Sequence, residues 1–318
     1  MDPFNKAVTY STPREQIEML KAKHLLIKNE DLAVQQLTSY GYYNIINGYK
    51  EPYIYATENG KFFKDGVSFE QIFSLYLFDH NIRNSIMAAM LDLEESMRTA
   101  ISDTIAENIS TDHNEYLKKI HYQDRSSKFE RFSTDGILRS LTDASASGKD
   151  PIKYYRDKYG IIPPWILLKG TYFSTLINYF KILKPNEKSD VIQRSFGFNK
   201  SNSSLKCVKN FFLDSLFVCL DFRNRAAHGG RIYSFDSSHD KNIECNHEFY
   251  ACFPAYSEIK ELSGITRLDA ILTLFQVSDA SGILYTAVNE QLARHLETYP
   301  QDKEVLESVI HGVIDINP

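Results

Sequence analysis

Residues 68–108 read SFEQIFSLYLFDHNIRNSIMAAMLDLEESMRTAISDTIAEN. Apolar side chains fall at Ile72, Leu75, Phe78, Ile82, Ile86, Met90, Leu93 and Met97, in steps of three and four that keep them on one face of an α-helix. Ser68 offers a hydroxyl where the first helical N–H groups need an acceptor. Neither glycine nor proline interrupts the stretch. A spine of this length predicts a helical domain assembled around it.

Upstream, Thr12-Pro13-Arg14-Glu15 combines a capping hydroxyl, a proline at the first helical position and an acid in the first turn. It predicts a helix over 13–23 with Ile17 and Leu20 inward. A second short helix follows Asn29-Glu30-Asp31, carries Leu32, Val34 and Leu37, and ends at Tyr40-Gly41. Tyr53 to Phe63 places aromatic and β-branched residues on both sides of Asn59-Gly60, a hairpin signal and the only strong strand signal in the chain. Downstream, His121 to Gly148 is polar with weak periodicity and reads as an exposed excursion. Pro163-Pro164-Trp165 leads into a helix carrying Leu167, Leu168, Tyr172, Leu176, Tyr179 and Leu183, stopped at Lys184-Pro185-Asn186. Another long helix starts near Ser203, presents Leu205, Val208, Phe211, Phe212, Ser215, Leu216, Cys219 and Phe222, and breaks at Gly229-Gly230. Ser234 to Glu248 reads as a polar loop, and helices are expected near 256–277, 282–298 and 303–313. The expected organisation is an N-terminal helical region with a hairpin over 1–66, a helical domain over 67–235 and a helical extension over 236–318.

Composition fits this class. Of 318 residues, 43% are hydrophobic and 24% charged, the balance of a folded protein rather than a disordered one. No apolar run approaches the roughly 20 residues of a membrane span. The start, Met-Asp-Pro-Phe-Asn-Lys, has no basic stretch followed by an apolar one, so cytoplasmic residence is the expectation. The four cysteines, Cys207, Cys219, Cys245 and Cys252, form no C-x-x-C pair and read as reduced thiols. A net charge of -5 argues against an indiscriminate basic grip on nucleic acid and leaves room for a local site.

The residues with chemistry lie where the second long helix ends. Asp221-Phe222-Arg223-Asn224-Arg225-Ala226-Ala227-His228-Gly229-Gly230 places a guanidinium, an amide and an imidazole within six residues. Asn224 and His228 stand one turn apart on a common face, with Arg223 at its rim. An imidazole moves protons near neutral pH, a guanidinium holds a phosphoryl oxygen bidentately, and an amide orients either. That set suits RNA cleavage without a metal. The same residues can equally cap the last carbonyls of a helix, an end that favours cations. Chance supplies about one such Arg-His spacing in a chain of this composition, so the spacing needs its context.

The context is a resemblance to the bacterial abortive-infection (Abi) family of phage-resistance proteins, over roughly residues 12 to 235. Gln35-Gln36-Leu37 through Gly41-Tyr42-Tyr43-Asn44 and Gly48-Tyr49 resemble its aromatic turn. Gly66 to Ile72, Leu75 to Asp79 and Ile82-Arg83 resemble its most distinctive block. Glu94 and Arg98 match the following Glu-x-x-x-Arg, Pro164-Trp165 and Gly170 to Tyr179 its middle, and Leu220 to Tyr233 its end. The Arg-Asn-x-x-x-His stretch is similar to the signature of HEPN ribonucleases. The resemblance implies an all-α, HEPN-like helical bundle with additional terminal helices, and a catalytic set of Arg223, Asn224 and His228. Glu94, Arg98 and Tyr233 would support that set. The resemblance also implies a composite site made by two facing motifs, hence a homodimer. RNA would be the substrate, and the products a 2′,3′-cyclic phosphate and a 5′-hydroxyl. A phage trigger, or an antitoxin RNA or protein, would control the activity. Toxins of this superfamily paired with nucleotidyltransferase antitoxins carry a tyrosine two residues after the histidine. Gly230 stands there in this chain, which argues against control by modification of that tyrosine, although Tyr233 is nearby in sequence.

Other readings compete. Glu94 and Arg98 at i and i+4 are also an ordinary helical ion pair, and Asp79 with Arg83 reads as packing. His239, Cys245, His247 and Cys252 include zinc-ligand types at spacings of no familiar finger, so a polar loop is expected and neither metal nor cofactor. Tyr42-Tyr43 and Phe62-Phe63 read as hydrophobic packing rather than base stacking. The alternative function is a non-catalytic RNA- or protein-binding scaffold of a defence system, or a structural partner in a larger complex.

Overall fold

The structure, a computed structural model, describes residues 10–196, 200–237 and 281–307. Its helices are α1 (Pro13–Lys21), α2 (Glu30–Tyr40), α3 (Phe69–Asn108), α4 (His113–Tyr116), α5 (Thr134–Ser145), α6 (Ile152–Tyr159), α7 (Pro164–Leu167), α8 (Phe173–Ile182), α9 (Pro185–Phe196), α10 (Lys200–Ser204), α11 (Lys206–Ala227), α12 (Ser281–Thr298) and α13 (Lys303–Glu307). One antiparallel hairpin, β1 (Ile54–Thr57) and β2 (Gly60–Phe63), is the only sheet among the described residues. The fold is all-α with one short hairpin, as expected. The described residues fall into two compact units, each discontinuous in sequence. The first takes residues 10–84, 231–233 and 286–307; the second takes 85–196, 200–230, 234–237 and 281–285.

In the first unit, α1 opens with a capping box. Glu15 N donates to Thr12 Oγ1, and Thr12 N donates to Glu15 Oε2 at 2.7 Å, so two otherwise orphaned donors are satisfied reciprocally. Asn29 Oδ1 caps α2 through Leu32 N at 3.0 Å. The hairpin pairs Thr57 with Gly60, so its loop residues are Glu58 and Asn59 rather than Asn59-Gly60. The Thr57 hydroxyl accounts for this, accepting from Asn59 N and donating to the Gly60 carbonyl. Ser68 caps α3 as expected, its Oγ accepting from Gln71 N at 3.2 Å. Within this unit the α3 stripe Ile72, Leu75, Phe78 and Ile82 is fully buried.

In the second unit the stripe continues through Ile86, Met90, Leu93 and Met97, all buried. The stretch read as an exposed excursion is structured instead. Ser133 Oγ caps α5 through Gly136 N at 3.1 Å, and Ile137, Leu138 and Leu141 are buried. The helix expected from Pro164 to Leu183 is broken: α7 passes into a 3₁₀ turn at Leu168–Gly170 and α8 begins at Phe173. Thr171 Oγ1 donates to the Leu168 carbonyl at 2.7 Å, closing the turn, and Tyr172, expected inward, is 80% exposed before α8. The helix expected near 256–277 lies outside the described residues, and no described helix is long and apolar enough to cross a membrane.

Candidate functional site

Helix α11 belongs to the second unit and buries Val208, Phe211, Phe212, Ser215, Leu216, Cys219 and Phe222 of the stripe read from the sequence, together with Ala226, while Leu205 stands half-buried at the N-cap. Burial pushes the Cys219 thiol up to about 12, which leaves it a packing group rather than a nucleophile. The helix closes in a Schellman arrangement: Gly230 N donates to the Arg225 carbonyl at 2.9 Å and Gly229 N to that of Ala226 at 3.1 Å. Gly229 has φ +69°, which a side chain disfavours. A Cβ at Gly230 would collide with Cδ and Nε of Arg225, whose guanidinium lies 5.2 Å from the centre of the Phe235 ring. A side chain at position 230 would therefore have to displace that of Arg225.

The three residues of the expected catalytic set sit at this end. Arg223 is half-buried, and its Nη1 donates to Asn224 Oδ1 at 3.3 Å. Arg223 Nε is buried and has no partner among the described residues. A buried donor without an acceptor costs about 1–3 kcal/mol, unless a bound group supplies one. His228 is exposed at the cap position, and its backbone N–H returns to the Asn224 carbonyl at 3.1 Å. Its ring has no hydrogen bond to a described residue. The imidazole is thus open to a ligand from solvent, and Arg223, five residues earlier on the same helix, retains a donor that no described residue uses.

The supporting residues divide. Arg98 Nη2 meets Glu94 Oε1 at 2.8 Å, Arg98 also pairs with Glu95, and its Nε donates to the Leu168 carbonyl at 2.9 Å. These bonds tie α3 to the end of α7, and none reaches Arg223 or His228. Tyr233 belongs to the first unit, where it is buried and stacks on Tyr49 with ring centres 6.0 Å apart.

Asp79 and Arg83, read as packing, form the centre of a polar network in that same unit. Asp79 is wholly buried; its Oδ1 accepts from Ile232 N at 2.9 Å and Tyr233 N at 2.7 Å. Its Oδ2 accepts from Tyr49 Oη at 2.5 Å and Arg83 Nη1 at 3.2 Å. Burial raises the Asp79 carboxyl above its ordinary range, opposed by the bonds from Tyr49 and Tyr233 and by the Arg83 charge. Sequence alone offered the i, i+4 pairing and gave no sign of the backbone partners. A second network joins Ser74 Oγ and His295 Nδ1 at 2.9 Å, and His295 Nε2 and Asp302 Oδ2 at 2.9 Å. Tyr53 Oη and Gln71 Nε2 also donate to Asp302, at 2.6 and 2.7 Å.

Of the aromatic pairs, Phe63 is buried and Phe62 stacks on His24 with ring centres 5.1 Å apart, whereas Tyr43 is 76% exposed. His239, Cys245, His247 and Cys252 lie outside the described residues; among those described, no group of His, Cys, Asp and Glu could hold a metal ion. A family model described as Abi-like protein matches residues 35–234. No curated protein and no solved structure matches the chain.

Proposed function

Because the chain belongs to the Abi-like family, which suggests abortive infection and phage defence, we propose that it is an antiphage effector that cleaves RNA without a metal ion. The observation that carries this reading is the end of α11, where Arg223 keeps a buried Nε without a partner among the described residues, five residues before the exposed imidazole of His228. Arg223 would take a phosphate oxygen through its guanidinium, stabilising the charge that builds on the phosphate. Asn224, already bonded to Arg223, would hold the guanidinium in place. His228 would take the proton of a ribose 2′-hydroxyl as that oxygen attacks the adjacent phosphorus. The bond from phosphorus to the 5′-oxygen breaks, and that oxygen leaves with a proton. The products are a 2′,3′-cyclic phosphate and a 5′-hydroxyl, as in the HEPN ribonucleases whose signature the stretch resembles. One imidazole cannot be base and acid in a single step, so a second copy of the chain supplies the other from its own motif.

The test incubates the full chain and its His228→Ala variant with single-stranded and structured RNAs in excess EDTA, followed by analysis of the product ends. Cyclic-phosphate ends from the unaltered protein alone are expected. Equal cleavage by both proteins removes His228 from the reaction. Salt-sensitive RNA binding with no cleavage by either favours the scaffold reading.

A further inference from the structure

A second concentration of positive charge lies in the same unit, near the other end of α11. Gln123 Oε1 accepts from Arg125 Nε at 3.1 Å, Arg125 Nη2 at 3.0 Å and Lys188 Nζ at 3.3 Å. Two cations thus converge on one neutral oxygen, and neither forms an ion pair with a described residue. Lys188 is only 7% exposed. Its ammonium is pushed down to about 8, first by burial and then by the charges of Arg125, Lys209 and Lys181. The acids next to them in sequence, Asp124 and Glu187, form no ion pair with either: Asp124 pairs with Lys119 at 3.0 Å. Glu187 keeps one buried oxygen unpartnered, and its charge is felt at Tyr122.

The cluster is held rigidly. Gln123 N donates to the Ile182 carbonyl at 2.8 Å and Thr134 Oγ1 to the Gln123 carbonyl at 2.7 Å. Thr134 and Arg125 exchange backbone bonds, with Arg125 N donating to Thr134 Oγ1 and Thr134 N to the Arg125 carbonyl, both at 3.0 Å. A preorganised guanidinium fork beside an ammonium, with no carboxylate to neutralise either, fits the oxygens of a phosphate group. Lys209 and Arg223 lie on α11, which at 1.5 Å and 100° per residue places them about 21 Å apart and within about 40° around the helix axis. A strand lying along α11 would meet both.

We propose that Arg125, Lys188 and Lys209 form a phosphate-binding subsite that grips the backbone of the substrate RNA some distance from the cleaved bond. The proposal rests on the ribonuclease reading for its ligand, and on the geometry for the phosphate group. It is tested by equilibrium binding of a single-stranded 2′-O-methyl RNA of about twelve nucleotides, a length inside the usual site size for single strands, and of a dinucleotide too short to span the two sites. Lys188→Gln and Arg125→Gln are each expected to weaken the longer RNA about five- to tenfold. Each should also reduce the slope of log affinity against log salt by about 0.7, the value for one lost phosphate contact on a single strand. The dinucleotide should be unaffected. Lys209→Gln, at a half-exposed position, repeats the test without touching a buried one, and thermal melts confirm that each variant is folded. Unchanged affinity and salt slope in folded variants would overturn the subsite. If the unaltered protein binds no RNA, the ribonuclease reading fails and inorganic phosphate decides the subsite separately. A phosphate-dependent rise in melting temperature, absent from Lys188→Gln, keeps a site for a free phosphate, and no rise in either protein overturns it.

Discussion

Replacing Asp79 by alanine removes a carboxylate that is wholly buried and accepts four hydrogen bonds. Two of the donors are the backbone N–H groups of Ile232 and Tyr233, and each orphaned one costs about 1–3 kcal/mol. A third is the guanidinium of Arg83, whose side chain is 8% exposed; stripping a buried cation of its counter-charge costs about 3–5 kcal/mol. The contributions share one site and do not add fully, so the expected loss is about 5 kcal/mol, comparable to the whole stability of many domains. Asp79→Asn keeps an acceptor for the two backbone donors and loses only the charge, so about 3 kcal/mol is expected. Urea unfolding measures both, and amide hydrogen exchange at Ile232 and Tyr233 locates the effect. Exchange there should accelerate strongly in the alanine variant and moderately in the asparagine one. A loss below about 1 kcal/mol for Asp79→Ala, with slow exchange retained at both amides, would refute the account of Asp79 as the anchor of this segment.

Lys188 has a folded-state pKa below its unfolded value of 10.5, so the unfolded chain binds more protons between about pH 8 and 10.5 and stability contributed by this group rises with pH across that window. The ceiling is about 3 kcal/mol at 1.36 kcal/mol per pKa unit, and solvent screening brings the expected gain to about 1–2 kcal/mol. Lys188→Met should abolish that rise relative to the unaltered protein in urea melts at pH 7.5 and 10; an identical pH response in both proteins would count against it. His228→Ala removes an exposed ring without a described partner, so its melt should move by less than about 0.5 kcal/mol while RNA cleavage is lost. Gly230→Tyr forces Arg225 off the glycine; because the obstacle is the far end of a flexible side chain, a loss of about 1 kcal/mol is expected, and one above about 3 kcal/mol would mean that the backbone itself must shift.

Helix α3 was legible because its information is local: a stripe at helical spacing, a serine cap and no breaker. All eight residues of the expected spine are buried. The excursion over 121–148 was misread because serine, threonine and aspartate outnumber Ile137, Leu138 and Leu141, the three apolar side chains that α5 buries. The break between α7 and α8 was hidden because Leu168, Tyr172 and Leu176 keep a helical spacing that the turn at Thr171 overrides. At the candidate site, the order of Arg223, Asn224 and His228 on one helix end could be read from the pattern. The unpartnered Nε of Arg223 could not, since it depends on what the surrounding elements fail to offer. Asp79 was missed as an anchor for a related reason. Its two backbone partners stand some 150 residues further along the chain, and backbone amides leave no mark in a sequence.

The buried network around Asp302 has a consequence for biosynthesis. Tyr53 and Gln71 donate to an aspartate that lies 249 and 231 residues later. At translation rates of about 5–20 residues per second, Tyr53 leaves the ribosome roughly 12–50 seconds before its acceptor exists. During that interval the first unit holds polar groups destined for burial and has nothing to bury them against. Its closure therefore waits for the synthesis of Asp302, and a ribosome that stalls before that residue releases a chain in which this unit cannot finish folding.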